Sequence, residues 1–438
     1  MSASAEPPAS NRVPYAILLA IILAGITVRL AVLLRYPGNM LEDTDAYLGI
    51  AQSVVDGRGF SSPGSATPTA FRPPLYPLLL AASGPANSLG RCVLHLVLSA
   101  LMLTAIWQTG RQLQLSVLGC GLATLLAAYD PLLIWYGSYP MTETLCSALS
   151  AFMLLRWTSP ESVNGKSGFV TGVLFGLCVL ARPTYWPWGV LAGLWFIARC
   201  GWSTSQTVQS NVTDNGRWKI WAAAMGGVLL CVTPWVVRNW YWLETPILMT
   251  THGGYTLRLA NNESFYREEV NQPWGTIWTG NAFDEWTATW QQELADAGVQ
   301  GEIETDRWQS RKAKEFISQH PRPFLKACVH RVRMFWNIKP VGDLSSRIPS
   351  AVLFAIGVGY TVWWVLALVG LIKICRQRLA TWVPVLLLLF SFTVVHAVYW
   401  SNMRLRAPVV PGVALLAGLA VTRNNKIIGE SAATDRNP

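Results

Sequence analysis

Long apolar runs alternate with polar stretches along this chain, and the runs have the length that spans hydrocarbon. Residues 13–34 form the first. About 20 apolar residues at 1.5 Å rise cross a bilayer core of roughly 30 Å. Further runs follow at 93–108, 116–129, 142–157, 168–180, 186–197, 220–237, 351–372, 382–398 and 409–421. They predict an all-α polytopic membrane protein with a bundle of about ten transmembrane helices. The runs at 116–129 and 142–157 read as a pair around the hairpin DPLLIWYGSYPMTE, and those at 168–180 and 186–197 as a second pair broken by LARPTYW.

Two stretches break the pattern. Residues 35–77 carry Glu42, Asp43 and Asp45, then the arm GRGFSSPGSATPTAFRPPLYP. The prolines and glycines of that arm exclude regular structure, and irregular backbone beside a bilayer is tolerated where it lines a cavity. Residues 239–348 are mostly polar and contain no spanning run. They predict a folded extramembrane domain, α or α+β. Within it, Thr305 is placed to cap a helix over 306–319, and 323–337 reads as a basic, aromatic, amphipathic segment on the membrane surface. The divisions are therefore a short terminus at 1–12, the first span at 13–34, a loop at 35–77, a bundle at 78–238, the domain at 239–348, closing spans at 349–421 and a tail at 422–438.

Composition agrees. Of 438 residues, 52% are hydrophobic and only 13% charged, against roughly 25% charged in soluble domains. The terminus before the first run lacks a cleavable signal pattern, so that run is expected to remain an anchor. The net charge of +10 does not point to nucleic acid, because the basic residues flank the apolar runs as the positive-inside bias requires. That bias puts both termini inside, and the 35–77 loop and the large domain together on the outer face. The expected setting is a multi-pass cell membrane protein with its active site on the extracytoplasmic side. The sequon at Asn211 falls inside in this arrangement. The eight Cys are scattered singly, so neither a disulfide framework nor structural zinc is expected.

The candidate chemistry sits in the loops. Asp43 or Asp45 can serve as general base on an acceptor hydroxyl or as a metal ligand; the alternative is a pair of solvated acids, or a cap for a helix over 46–55. Tyr47 lies four residues after Asp43, on one face of such a helix. Glu143 opens a span, where it is either a dipole-favoured first-turn acid or a second acid of the same cavity. Arg72, Arg182, Arg238, Arg404 and Arg406 are basic residues on the outer side. Each either snorkels to headgroups, makes an ordinary salt bridge, or meets phosphate through its guanidinium fork. Tyr76 and Asn239 complete the expected substrate cavity. The five His show no ligand spacing, and no phosphate loop, dinucleotide fingerprint or nucleophile elbow is present. A divalent metal could assist a leaving phosphate, but no ligand cluster argues for one.

In order and placement, EDTDAYLGIAQSVVDGRGF, TAFRPPLYPLLLA, YPMTETL, LARPTYW, TPWVVRNWYWLETPILMTTHGGYTLRLANN, ETDRWQSRKAKEFISQHPRPFL and RLRAPVVPG resemble the GT-C-fold integral-membrane glycosyltransferases. The resemblance is in particular to the branch of the protein O-mannosyltransferases and lipid A aminoarabinose transferases. The resemblance implies a GT-C-like bundle and a polyprenyl-phosphate-sugar donor. It also implies a catalytic acid in the first external loop, and basic residues around the donor phosphate. The family's acidic pair is Asp-Glu; here Glu42-Asp43 is followed by Asp45, so the acid maps onto Asp43 with Asp45 as alternate. The acceptor, a glycan, lipid or protein, does not carry over. A membrane transporter or lipid flippase is the alternative function, and would call for broken midplane helices and internal repeats.

Overall fold

The structure is a computed structural model and describes residues 12–159, 164–202, 214–342, 345, 348–377 and 379–423. The terminal segments, residues 160–163 of the turn at 159–166 and the Asn211 sequon lie outside the described residues.

The apolar runs fold as helices. Among the described residues six are long and apolar enough to cross a membrane. They are α1 (Arg12–Arg35), α4 (Ser88–Gln112), α10 (Asp214–Leu243), α15 (Ser350–Gln377), α16 (Leu379–Val398) and the segment Met403–Val421, which ends in α17 (Val410–Val421). Shorter apolar helices fill in between them: α5 (Val117–Ala128), α7 (Glu143–Thr158), α8 (Gly165–Ala181) and α9 (Trp186–Trp202). Their outward faces keep large apolar side chains exposed, such as Leu34, Leu118, Leu230 and Phe354. That surface is suited to lipid rather than water.

The pairing differs from the hairpins expected from sequence. The turn at Asp130 holds a short helix, α6 (Pro131–Tyr136), capped by Asp130 Oδ1 accepting from the Leu133 N–H at 2.7 Å. Its arms then diverge: α5 packs on α1, α4 and α17, while α7 packs on α4 and α8. Likewise α8 lies along α10, and α9 against α16. The reason is side-chain size. A Cβ at Gly172 would collide with the Ala224 carbonyl, so α8 and α10 approach backbone to backbone, the close packing that small residues allow in lipid.

Two polar regions meet at one end of the bundle. The first loop holds α2 (Tyr47–Val55), then the arm, then α3 (Leu75–Ser83). The arm has no helix, and its backbone closes on itself in an isolated bridge between Ser61 and Pro68. The large domain is helical among its described residues, with α11 (Gly253–Ala260), α12 (Asn281–Asp296), α13 (Glu302–Gln319) and α14 (Pro321–Phe335). A cluster of Leu259, Phe265, Tyr266, Trp278 and Trp286 forms its core. Here α13 begins at Glu302, not beyond a Thr305 cap. Gly301, at φ +82°, takes a left-handed conformation that starts the helix a turn early, and Thr305 lies within that turn.

Glu302 joins the two regions. Its carboxylate accepts from the Ala70 N–H at 2.8 Å and from the Thr69 hydroxyl at 2.5 Å, and also from the Thr251 hydroxyl. The Thr251 N–H donates to Ala70 O at 3.0 Å. The arm is thereby fixed to the domain.

Candidate active site

Asp43 and Asp45 of the first loop have separate partners. Asp43 turns back onto α2: its carboxylate accepts the N–H groups of Leu48 at 2.9 Å and Gly49 at 2.7 Å. These are first-turn donors with no partner inside the helix. Between the two acids and the helix sits Ala46, in the left-handed region at φ 62°, ψ 14°. An L-residue there costs on the order of 1–2 kcal/mol. The Asp43 cap holds it from one side and Arg72 from the other, where Arg72 Nε donates to Asp45 O at 2.7 Å. This bend sends the Asp45 side chain away from α2 and into a group of charges.

Arg72 Nη2 lies 3.3 Å from Asp45 Oδ1, and Arg404 Nη1 lies 3.1 Å from Oδ2. Arg404 Nε is 3.3 Å from Glu143 Oε1, the same oxygen that Arg182 Nη2 approaches at 3.3 Å. Arg182 Nη2 also donates to the Thr142 hydroxyl at 2.9 Å. Thr142 itself does not cap α7 through its side chain. Three guanidiniums thus face two carboxylates, an excess of one positive charge. Glu143 is 1% exposed, whereas the side chains of Asp45 and the three arginines keep 12–19%. The group is therefore closed beneath Glu143 and reachable from the Asp45 side.

Its polar valences are not filled. Glu143 Oε2, Arg182 Nη1 and Arg404 Nε are out of solvent contact with no hydrogen-bond partner; the Arg404 Nε approach to Glu143 is close enough for attraction but not aligned for a hydrogen bond. Unfilled donors beside excess positive charge suit an anion with several acceptor oxygens. Burial alone would raise the Asp45 pKa, but the charges of Arg404, Arg72 and Arg182 outweigh it and hold the carboxyl below its ordinary range.

Aromatic rings wall the group. Arg72 lies over Tyr47 at 5.4 Å and Phe71 at 4.9 Å, and Arg404 over Tyr136 at 5.8 Å. The Tyr47 hydroxyl is pushed up to about 12, chiefly by burial. Tyr47 is braced edge-on by Tyr76 at 5.2 Å. Tyr76 in turn meets His95 Nε2 at 2.8 Å, while His95 Nδ1 is 2.9 Å from Gly137 O. A carbonyl only accepts, so Nδ1 carries the proton and Nε2 receives the Tyr76 O–H.

Three expected residues stand elsewhere. Arg238 is occupied by the arm: it donates to Thr69 O at 2.8 Å, to the Phe60 carbonyl, and to Asn239 Oδ1 at 2.9 Å. Asn239 is fully buried and donates to Ile247 O at 2.9 Å, closing the turn after α10. Arg406 lies inside the bundle over Tyr360 at 4.3 Å and donates to the Asn337 carbonyl. Tyr360 donates to Asp130 at 2.9 Å. So the structure brings together Asp45, Tyr47, Arg72, Glu143, Arg182 and Arg404. It assigns Asp43, Arg238 and Asn239 to holding the loop and the arm, and Arg406 to the bundle interior.

Two residues that sequence reasoning passed over also border this region. Glu302 clamps the arm, and His252 packs edge-on against Phe71 at 4.4 Å. Neither has a sequence signal, since each acts on a partner far along the chain. Among the described residues no group of three or more His, Cys, Asp or Glu is placed to hold a metal ion.

No family model matches this sequence, and no curated protein sequence matches it. Among solved structures, the crystal structure of ArnT from Cupriavidus metallidurans bound to undecaprenyl phosphate is similar, with 13% identity and a TM-score of 0.40. The likeness covers 94% of this chain and 77% of that one.

Proposed function

We propose that this chain is a membrane glycosyltransferase that moves a sugar from a polyprenyl-phosphate donor to an acceptor hydroxyl on the extracytoplasmic face, with inversion. The observation that carries the reading is the group around Asp45. It is a carboxylate held among three arginines that leave one surplus positive charge, with unfilled donors on Arg182 and Arg404. The motif order of the loop, the arm and the closing RLRAP segment supports the same reading.

In this reading Arg404, Arg182 and Arg72 meet the donor phosphate. The acceptor oxygen attacks the anomeric carbon as the carbon–oxygen bond to phosphate breaks. The electron pair of that bond leaves with the lipid phosphate, and the acceptor proton passes to the Asp45 carboxylate. Before the donor binds, the guanidiniums make Asp45 a weak base. Phosphate neutralises them and returns proton affinity to the carboxylate, so the base becomes competent when the donor is in place. Fixed guanidiniums then stabilise the charge that develops on the leaving group.

The test is transfer from an undecaprenyl-phosphohexose by the full chain in detergent. Asp45→Asn is expected to lower turnover by about 10²–10⁴-fold, the range for loss of a general base. Asp43→Asn, which keeps one acceptor oxygen for α2, is expected to keep most of the activity. Turnover by Asp45→Asn equal to that of the parent chain sinks the proposal.

A further inference from the structure

Arg404 is carried by Met403–Val409, a 3-10 helix of 7 residues that also contains Pro408. Such helices have poor hydrogen-bond geometry, and runs beyond three or four residues are uncommon. A stretch this long has to be held from outside. Asn402 Oδ1 accepts the Arg404 N–H at 3.0 Å. The Arg406 guanidinium donates to Phe335 O at 3.4 Å and to the Asn337 carbonyl, at the end of α14. The third anchor is Ser147 Oγ, which donates to Ala407 O at 2.8 Å.

Of these three, only Ser147 comes from the helix that carries Glu143. It lies on α7 one turn after Glu143 and is fully buried. Its Oγ is also 2.8 Å from Glu143 O. A serine inside a helix commonly bonds the carbonyl four residues back and needs nothing more. Here a second carbonyl, 260 residues away in sequence, stands at the same distance. The hydroxyl has one proton, which the two carbonyls share. One turn of α7 away, Arg404 Nε and Glu143 Oε1 are 3.3 Å apart. Ser147 therefore joins the same two elements as that ion pair, through a short link in place of a long side chain. Groups that act by alignment lose much of their effect when they shift by about 1 Å. We propose that Ser147 is a positioning residue, whose hydroxyl holds Met403–Val409 against α7 so that Arg404 stands between Asp45 and Glu143 and meets the donor phosphate. This rests on the glycosyl-transfer reading and extends it to a residue that touches no substrate.

The experiment measures undecaprenyl phosphate affinity, the acidic limb of kcat/KM and the unfolding midpoint, on the full chain in detergent. Ser147→Thr and Ser147→Val have the same shape and differ in the hydroxyl, so crowding by the larger side chain is common to both. Ser147→Val should weaken undecaprenyl phosphate about fivefold, the worth of one hydrogen bond. It should also move the acidic limb to higher pH, because Arg404 is the foremost of the charges that hold the Asp45 carboxyl down. Ser147→Thr should keep both near the parent values, and Ser147→Ala should follow Ser147→Val. Thr124→Val is the control. It removes a fully buried hydroxyl that donates within its own helix, to Cys120 O at 2.8 Å. It should lower the unfolding midpoint and leave affinity and limb unchanged. Parent-like affinity and limb in Ser147→Val overturn the inference. So does equal behaviour of Ser147→Val and Ser147→Thr, or equal weakening by Thr124→Val, since the hydroxyl would then act through general stability alone. Should neither larger variant fold, Ser147→Ala against Thr124→Val decides in the same way. A parent chain that does not bind undecaprenyl phosphate removes the glycosyl-transfer reading and this inference with it. A parent that binds while the Ser147 variants match Thr124→Val removes this inference alone.

Discussion

Arg404 joins Asp45 to Glu143: its Nη1 lies 3.1 Å from Asp45 Oδ2 and its Nε 3.3 Å from Glu143 Oε1. The Asp45 side chain is 18% exposed and that of Glu143 1%, so a single side chain couples the accessible edge of the group to its floor. Arg404→Ala should leave Glu143 as a buried carboxylate with only Arg182 to balance it, destabilising the chain by about 3 kcal/mol. Adding Glu143→Gln should restore thermal stability in detergent, because the buried charge is gone. It should not restore binding of undecaprenyl phosphate, which is expected to fall at least tenfold in both variants. Recovery of binding in the double variant would mean that Arg404 serves only to neutralise Glu143.

The depressed pKa of Asp45 sets a pH dependence. A carboxyl held below its ordinary value of 3.8 contributes stability that is fully present above that value and is lost as pH falls through the folded-state value. The acidic limb of kcat/KM, which reports the free enzyme, should therefore lie below about pH 4. The acidic limb of kcat reports the complex. It should lie at higher pH, because bound phosphate neutralises the arginines that depress Asp45. Coincident limbs would show that the donor does not engage those guanidiniums.

Glu302 should matter through the arm. Glu302→Ala removes the acceptor for Ala70 N–H and for the Thr69 and Thr251 hydroxyls. Hydrogen bonds to a charged group contribute about 1.5–3 kcal/mol each, and the loss is expected as local loosening of the arm. Limited proteolysis should cut residues 57–77 faster. Turnover should fall while the thermal unfolding midpoint moves little. An arm as protected as in the parent chain would count against the clamp.

Gly172→Leu tests the bundle independently of the chemistry. A side chain there meets the Ala224 backbone of α10, and overpacking of this kind typically costs about 1–3 kcal/mol or more. The expected result is a lower unfolding temperature and poor recovery from detergent. The equivalent change at Gly226, where a Cβ would meet nothing within 4 Å, should be tolerated. Equal tolerance at both positions would contradict the close α8–α10 approach.

The sequence by itself determined the bundle, the loop after the first span and the large polar insertion, because a run of apolar residues must leave water wherever the rest of the chain lies. It also marked acids in the first loop and arginines at span ends as candidates. Tertiary structure alone decided between them. Asp43 and Asp45 are near neighbours in sequence, yet the left-handed turn at Ala46 commits one to capping α2 and turns the other toward Arg404, 359 residues away. Arg238 and Arg406 resemble Arg182 and Arg404 in composition and position, but carbonyls of the arm hold Arg238, and Arg406 is buried within the bundle over Tyr360. His252 has no local mark, since its unpaired nitrogen and its neighbour Phe71 come from different regions of the chain. Hydropathy is a property of a segment and can be read along the chain. Which charge meets which is a property of distance through space, and it exists only once the helices have packed.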